Sequence, residues 1–127
     1  MSEYYLAIDI GASSGRHMLG TIEDGKMKLE EIYRFPNGME EVEGSLCWNV
    51  DALFYEIKEG LKKCKELGKI PSYMGIDTWA VDYVLLDKED KILGKTYGYR
   101  DSRTTGMDAK VYEEISLKHL YKRTGIQ

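Results

Sequence analysis

The chain has 127 residues, about one domain and long enough to bury a true hydrophobic core. Apolar residues at 43% and charged residues at 31% exclude a disordered chain, and a formal net charge of −4 argues against non-specific nucleic-acid binding, which needs a basic face. No stretch approaches the roughly 20 apolar residues of a membrane span, and Cys47 and Cys64, at no short metal-ligand spacing, fit reduced thiols in a cytoplasm.

The first predicted element is a buried strand, Leu6 to Ile10, an apolar run interrupted by the single carboxylate of Asp9. Gly11, Ala12, Ser13, Ser14 and Gly15 follow with almost no side-chain bulk, and His17 to Ile22 runs back, so the pair reads as a β-hairpin with a wide polar tip. Such a turn is often only a Gly/Ser turn beside a solvated arginine. Here its free N–H groups and two hydroxyls can also meet phosphate oxygens, with Arg16 as a permanent cation. Asp9, expected to be buried within its strand, needs a partner there and is a candidate to hold a metal ion through water.

Glu23-Asp24-Gly25-Lys26 turns the chain into a third strand, Met27 to Phe35, which Pro36-Asn37-Gly38 stops. Glu40, Glu41 and Glu43 around Gly44 read as a solvated loop without function. Val50 to Leu67 is the clearest helix. Leu53, Phe54, Ile57, Leu61, Cys64 and Leu67 make one apolar stripe, Asn49 is its N-cap and Gly68 lies just past its end.

That helix serves as the crossover to a fourth strand, Tyr73 to Asp77, parallel to the first and also ending in a carboxylate. Asp9 and Asp77 are therefore expected at one crevice at the carboxyl ends of two parallel strands. Tyr83 to Leu86 and Lys91 to Gly94 predict a surface hairpin. The segment Tyr97 to Thr104 is dense in hydrogen-bonding groups. It reads equally as a salt-bridged loop, Asp101 with Arg103 or Arg100, or as a neighbour of a polyhydroxylated ligand. Two short helices, Met107 to Ile115 and Leu117 to Arg123, complete the prediction.

Three separated stretches carry a resemblance. Asp9 to Arg16, Gly75 to Asp87 and Tyr99 to Thr104, with the closing Tyr121 to Gln127, resemble the rhamnulokinase branch of the FGGY carbohydrate kinases, within the actin-like ATPase superfamily. The likeness runs in register from Tyr5 onward. It implies an α/β, ribonuclease-H-like domain that is incomplete: an antiparallel three-strand meander, a crossover helix, a parallel fourth strand, a β-hairpin and C-terminal helices. About 1–104 would be the sheet core and hairpin, and about 105–127 the start of a helical substrate-side segment, with the second domain absent. The implied activity is transfer of a phosphoryl group from ATP, with Mg²⁺, to the 1-hydroxyl of L-rhamnulose.

By the same resemblance Ala12, Ser13, Ser14, Gly15 and Arg16 match the ATP-phosphate loop and Asp9 the Mg²⁺-associated acid. Trp79 and Ala80 match the sugar-contacting turn, with Asp77, Tyr99, Asp101 and Arg103 as its neighbours; Ala80 departs from the glycine usual there. The family's catalytic base, an aspartate, falls beyond Gln127, so this piece alone is expected to be inactive and to pair through its unfinished sheet as a homodimer. Other readings are a different FGGY ketose or polyol kinase, a ribonuclease-H-like nuclease or resolvase, and a nucleotide-binding module without turnover. Partners would be a small sugar and ATP, with no nucleic acid and no membrane.

Overall fold

The computed structural model describes residues 3–126, so Gln127, which ends the closing motif, and the outer bounds of the expected domain lie outside the described residues. Strand β1 (Tyr5–Ile10) is the centre of the molecule. It pairs antiparallel with β2 (Ser14–Glu23), which pairs with β3 (Lys26–Pro36), and parallel with β6 (Tyr73–Thr78) on its other side, giving the order β3-β2-β1-β6. Helix α1 (Val50–Glu66) makes the crossover between the meander and β6. The expected meander, crossover helix and parallel strand are all present.

Alternation along β1 decides where the core lies. Leu6, Ile8 and Ile10 point to one face and are buried, against Cys64 with Leu53, Ile57 and Leu61 of α1 around it. Tyr5, Ala7 and Asp9 point to the opposite face, which α1 does not cover. This corrects the expectation of a buried Asp9: its side chain is 47% exposed. Helix α1 starts on Asn49, whose side chain accepts from Ala52 N at 3.0 Å, and Gly68 follows it at φ +67°.

A bulge at His17/Met18 shifts the β2–β3 register, so Tyr33 faces His17 but Glu31 faces Met18. That shift is why β3 alternates only roughly. His17 is fully buried between the sheet and α1, its Nε2 3.3 Å from the Ile57 carbonyl oxygen and its Nδ1 without a partner among the described residues. It fits there because Gly60 has no side chain: a Cβ on Gly60 would stand 2.2 Å from the imidazole.

Burial lowers the His17 pKa below its ordinary 6.5, against smaller raising effects of the Ile57 carbonyl and the Glu56 carboxylate. The unfolded chain therefore binds a proton that the folded one refuses. Stability contributed by neutral His17 should be full above about pH 6.5 and lost as pH falls through the lower folded-state value. Chemical denaturation from pH 7.5 to 5 should show this slope, and His17→Leu should flatten it; an unchanged slope in that variant contradicts the assignment.

Two expectations differ. The acidic stretch is a β-hairpin, β4 (Met39–Val42) with β5 (Ser45–Trp48), closed by Glu43 and Gly44 at φ +48° and +77°, the left-handed pair of a tight hairpin turn. Conversely, the hairpin predicted from Tyr83 to Gly94 is reduced to one bridge, Leu86 with Ile92, and backbone bonds such as Leu93 N to Leu85 O at 2.8 Å. A single 3₁₀ turn (Ser102–Thr104), α2 (Met107–Glu114) and α3 (Leu117–Thr124) follow.

Strand β6 is an open edge, with β1 as its one partner. Met74 and Ile76 share a face with Leu6 and Ile8 by register, yet each is 51% exposed because α1 stops short of them. An apolar groove of about 290 Å³ continues this uncovered surface, lined by Phe54, Ile57, Trp79, Tyr83 and Val84.

Candidate active site

Both acids stand where two parallel strands end. Asp9 and Asp77 are register partners on the uncovered face, so their carboxylates are neighbours. Asp9 Oδ2 accepts from Arg16 Nε at 2.9 Å across the hairpin, while Asp77 is exposed. Ser14, Gly15 and Arg16 belong to β2, so the tip narrows to Gly11, Ala12 and Ser13.

Asparagine 37, which the sequence reading used only as a strand stop, fastens this tip. Its Nδ2 donates to Gly11 O at 2.8 Å and its N–H to Ser13 O at 3.0 Å, while Gly11 N donates to Ser14 O at 2.9 Å. Two tip carbonyls are thus turned toward Asn37. The N–H groups of Ala12 and Ser13 have no protein acceptor among the described residues. Fixed, unpaired N–H groups on a turn suit an anion.

Gly15 has a second reason to be glycine. Its Cα faces the core, and an added Cβ would lie 2.1 Å from Phe35 Cζ, in a ring 2% exposed.

The tip opens onto a cleft of about 400 Å³, lined with Gly38, Met39, Leu46, Trp48, Tyr99 and Arg100. Tyr99 thus reaches the cleft, with the Arg100 guanidinium 5.4 Å from its ring centre. Asp101 and Arg103 have other work. Asp101 is buried, accepting from Leu46 N at 2.8 Å and Arg103 N at 3.0 Å, bonds that lower its carboxyl pKa below the ordinary range. The Arg103 guanidinium sits 4.3 Å over the Tyr97 ring and 3.8 Å from Asp101. Together they pin the 3₁₀ turn to β5. Trp79 packs against Trp48 with ring centres 4.3 Å apart and planes tilted by 39°, and Ala80 is exposed at the turn after β6.

A divalent cation would meet one half-exposed carboxylate with an exposed neighbour, since no three His, Cys, Asp or Glu side chains gather among the described residues. That donor set fits Mg²⁺, which keeps several waters and binds through one or two carboxylates plus ligand phosphates. Cys47 and Cys64 are both unpaired and buried, and no helix of the described residues is long and apolar enough to cross a membrane.

The chain is similar to known proteins over nearly its whole length. The pattern of the FGGY family of carbohydrate kinases, N-terminal domain, matches residues 4–127. Rhamnulokinase of Halalkalibacterium halodurans is 56% identical over 98% of this chain and 26% of its own length. Rhamnulokinase of Bacillus subtilis is 46% identical over 97% of the chain and 25% of its length. The chain thus spans about a quarter of the curated relatives it matches. Among solved structures, gluconate kinase from Lactobacillus acidophilus superposes with a TM-score of 0.74 at 14% identity, over 99% of this chain and 25% of that one. Xylulose kinase from Rhodospirillum rubrum gives 0.71 at 16%, over 94% and 25%. These two establish the sugar-kinase fold, and the sequence match establishes kinship: the chain belongs to the FGGY family of carbohydrate kinases.

Proposed function

We propose that this chain is the N-terminal part of an ATP- and Mg²⁺-dependent rhamnulokinase, phosphorylating L-rhamnulose on its 1-hydroxyl. The observation that carries the reading is the braced tip, whose free N–H groups stand beside Asp9 and Arg16 and open onto a sugar-sized cleft. The 56% and 46% identities to rhamnulokinases favour this ketose over other sugars of the family.

The free N–H groups of Ala12 and Ser13 and the hydroxyls of Ser13 and Ser14 hold the ATP phosphates, Gly15 carries the chain into β2 beside them without a side chain, and Arg16 adds charge. Asp9 supplies a carboxylate to the hydrated cation, with Asp77 beside it. Magnesium, when bound, neutralises phosphate charge and so favours phosphoryl transfer. Tyr99 orients the sugar in the cleft, and Trp79 and Ala80, which lie outside the cleft lining on the turn packed against Trp48, approach it from that side, while Asp101 and Arg103 support it by fixing the 3₁₀ turn. The cleft lining contains no carboxylate, so the base for the 1-hydroxyl comes from outside these residues. Residues 1–104 would form the sheet core and hairpin, 105–127 the start of the helical substrate side. The reaction is assigned to the cytoplasm, and neither nucleic acid nor membrane takes part.

A coupled ADP assay tests this. The natural full-length protein should turn over with L-rhamnulose, and the 127-residue piece should not, because loss of a general base is worth about 10²–10⁴ in rate. Full-length protein that prefers another ketose or a polyol would move the assignment within the family, and no sugar-dependent turnover at all would reject it. The same piece is proposed to dimerise through β6, whose open edge and apolar groove lie uncovered. Sedimentation should show dimer at micromolar concentration; a monomer that persists there with a cooperative melt contradicts this.

A further inference from the structure

The turn leaving β6 is held by a carboxylate to which the reading above gives no task. Asp82 Oδ2 accepts from two indoles at once, Trp48 Nε1 at 2.6 Å and Trp79 Nε1 at 2.8 Å. Trp48 is the firm end of this arrangement: it is 5% exposed, it closes β5, and its main-chain N–H donates to Thr96 O at 2.8 Å. The Trp79 ring packs against it, tilted, with ring centres 4.3 Å apart. The bond from Trp79 to Asp82 closes a loop that contains only Ala80 and Val81.

Val81 sits in that loop at φ +73° and is 79% exposed. A β-branched residue in the left-handed region is strained, and a side chain in water gains no packing to offset the strain. What maintains the conformation is the polar clamp around it. The charged acceptor matters here, because a carboxylate forms markedly stronger bonds to N–H donors than a neutral amide oxygen.

We propose that Asp82 is a positioning residue for sugar recognition. Its carboxylate locks the Trp79-Ala80-Val81 turn in the strained form that presents the backbone at Ala80 to a ketose hydroxyl. Through Trp48, which lines the cleft with Ala12, Ser13 and Tyr99, it sets that turn against the phosphate tip. The ligand half of this inference rests on the sugar-kinase reading; the lock itself does not.

The test uses the natural full-length protein, wild type, Asp82→Asn and Asp82→Ala, with ¹⁵N-labelled tryptophan and with Trp48→Phe and Trp79→Phe to assign the indole signals. Without ligand, Asp82→Ala should move both indole N–H resonances and speed amide exchange at residues 79–82 by about tenfold. With substrates, it should raise the L-rhamnulose KM by about tenfold while the ATP KM stays within about twofold. Asp82→Asn should fall between wild type and Asp82→Ala on every readout, and it replaces the alanine variant should that one fail to fold. Unmoved indole signals and unchanged exchange overturn the lock whatever the protein phosphorylates. Moved signals with an unchanged sugar KM reduce Asp82 to a structural bond and overturn its positioning role. Wild-type protein without turnover of any ketose or polyol sinks the sugar-kinase reading, and the indole and exchange data then decide the lock alone.

Discussion

Asp9→Asn in the full-length protein should lower kcat by about two orders of magnitude or more, with the sugar KM little changed. The substitution keeps the shape of the side chain and removes its charge. Asp9 is half-exposed and its bond to Arg16 is an exposed ion pair, an interaction usually worth only about 0–1 kcal/mol to stability. The melting temperature should therefore barely move, which separates a catalytic loss from an unfolding one. The loss arises because a hydrated Mg²⁺ would be left with Asp77 as its one nearby carboxylate, while the freed guanidinium of Arg16 turns toward the same phosphates. Raising the Mg²⁺ concentration should recover part of the rate. Near wild-type turnover, at any Mg²⁺ concentration, would falsify the role given to Asp9.

Gly15→Ala should destabilise the fold by about 3 kcal/mol, at the upper end of overpacking effects. The added Cβ meets three atoms of the Phe35 ring, the nearest at 2.1 Å, and that ring cannot retreat. It is wedged beside Tyr33 and His17, with ring centres 6.3 Å and 6.2 Å away. Phe35→Leu in the same chain should restore much of the stability by opening the space. Urea denaturation of the single and double variants measures both effects; a loss below about 0.5 kcal/mol in Gly15→Ala would mean that the ring has room. The double variant also separates the two reasons for a glycine here. Recovered stability with normal ATP affinity would leave packing as its sole requirement.

The order of the elements was readable because periodicity and caps report on local chemistry. The span of α1, its Asn49 cap and an acid near the end of each of β1 and β6 follow from residues close in sequence. The pairing of those acids follows from the rule that parallel strands share a carboxyl end. Phe54 and Leu67 of the expected stripe, by contrast, stand 58% and 41% exposed. The expectation of a buried Asp9 rests on Leu6 to Ile10 being one buried run. Its alternation, Leu6, Ile8 and Ile10 against Ala7 and Asp9, already assigns the acid to the other face. The β4–β5 hairpin escaped notice since its glutamates look solvated and its turn begins with Glu43 rather than Asn or Asp.

Asn37 and Asp82 were hidden for a different reason. Asn37 bonds Gly11, 26 positions away, and Asp82 bonds Trp48, 34 positions away, besides the nearby Trp79, and no local pattern announces the distant bonds. One signal was available for Asn37. An Asn between Pro36 and Gly38, where any turn residue would end the strand, has a side chain free to brace something else.

The strand order also governs how the chain meets the ribosome. β1 completes its hairpin with β2 almost as soon as both have emerged, but its parallel partner β6 ends only at Thr78, after the whole of α1 has been made. At about 5–20 residues per second, β1 waits roughly three to fourteen seconds with one row of N–H and C=O groups unpaired. For most of that interval the core stripe Leu6, Ile8 and Ile10 is also without its helix. The nascent meander is therefore a natural client for chaperones that bind extended apolar segments, and slow codons placed before α1 would lengthen its exposure.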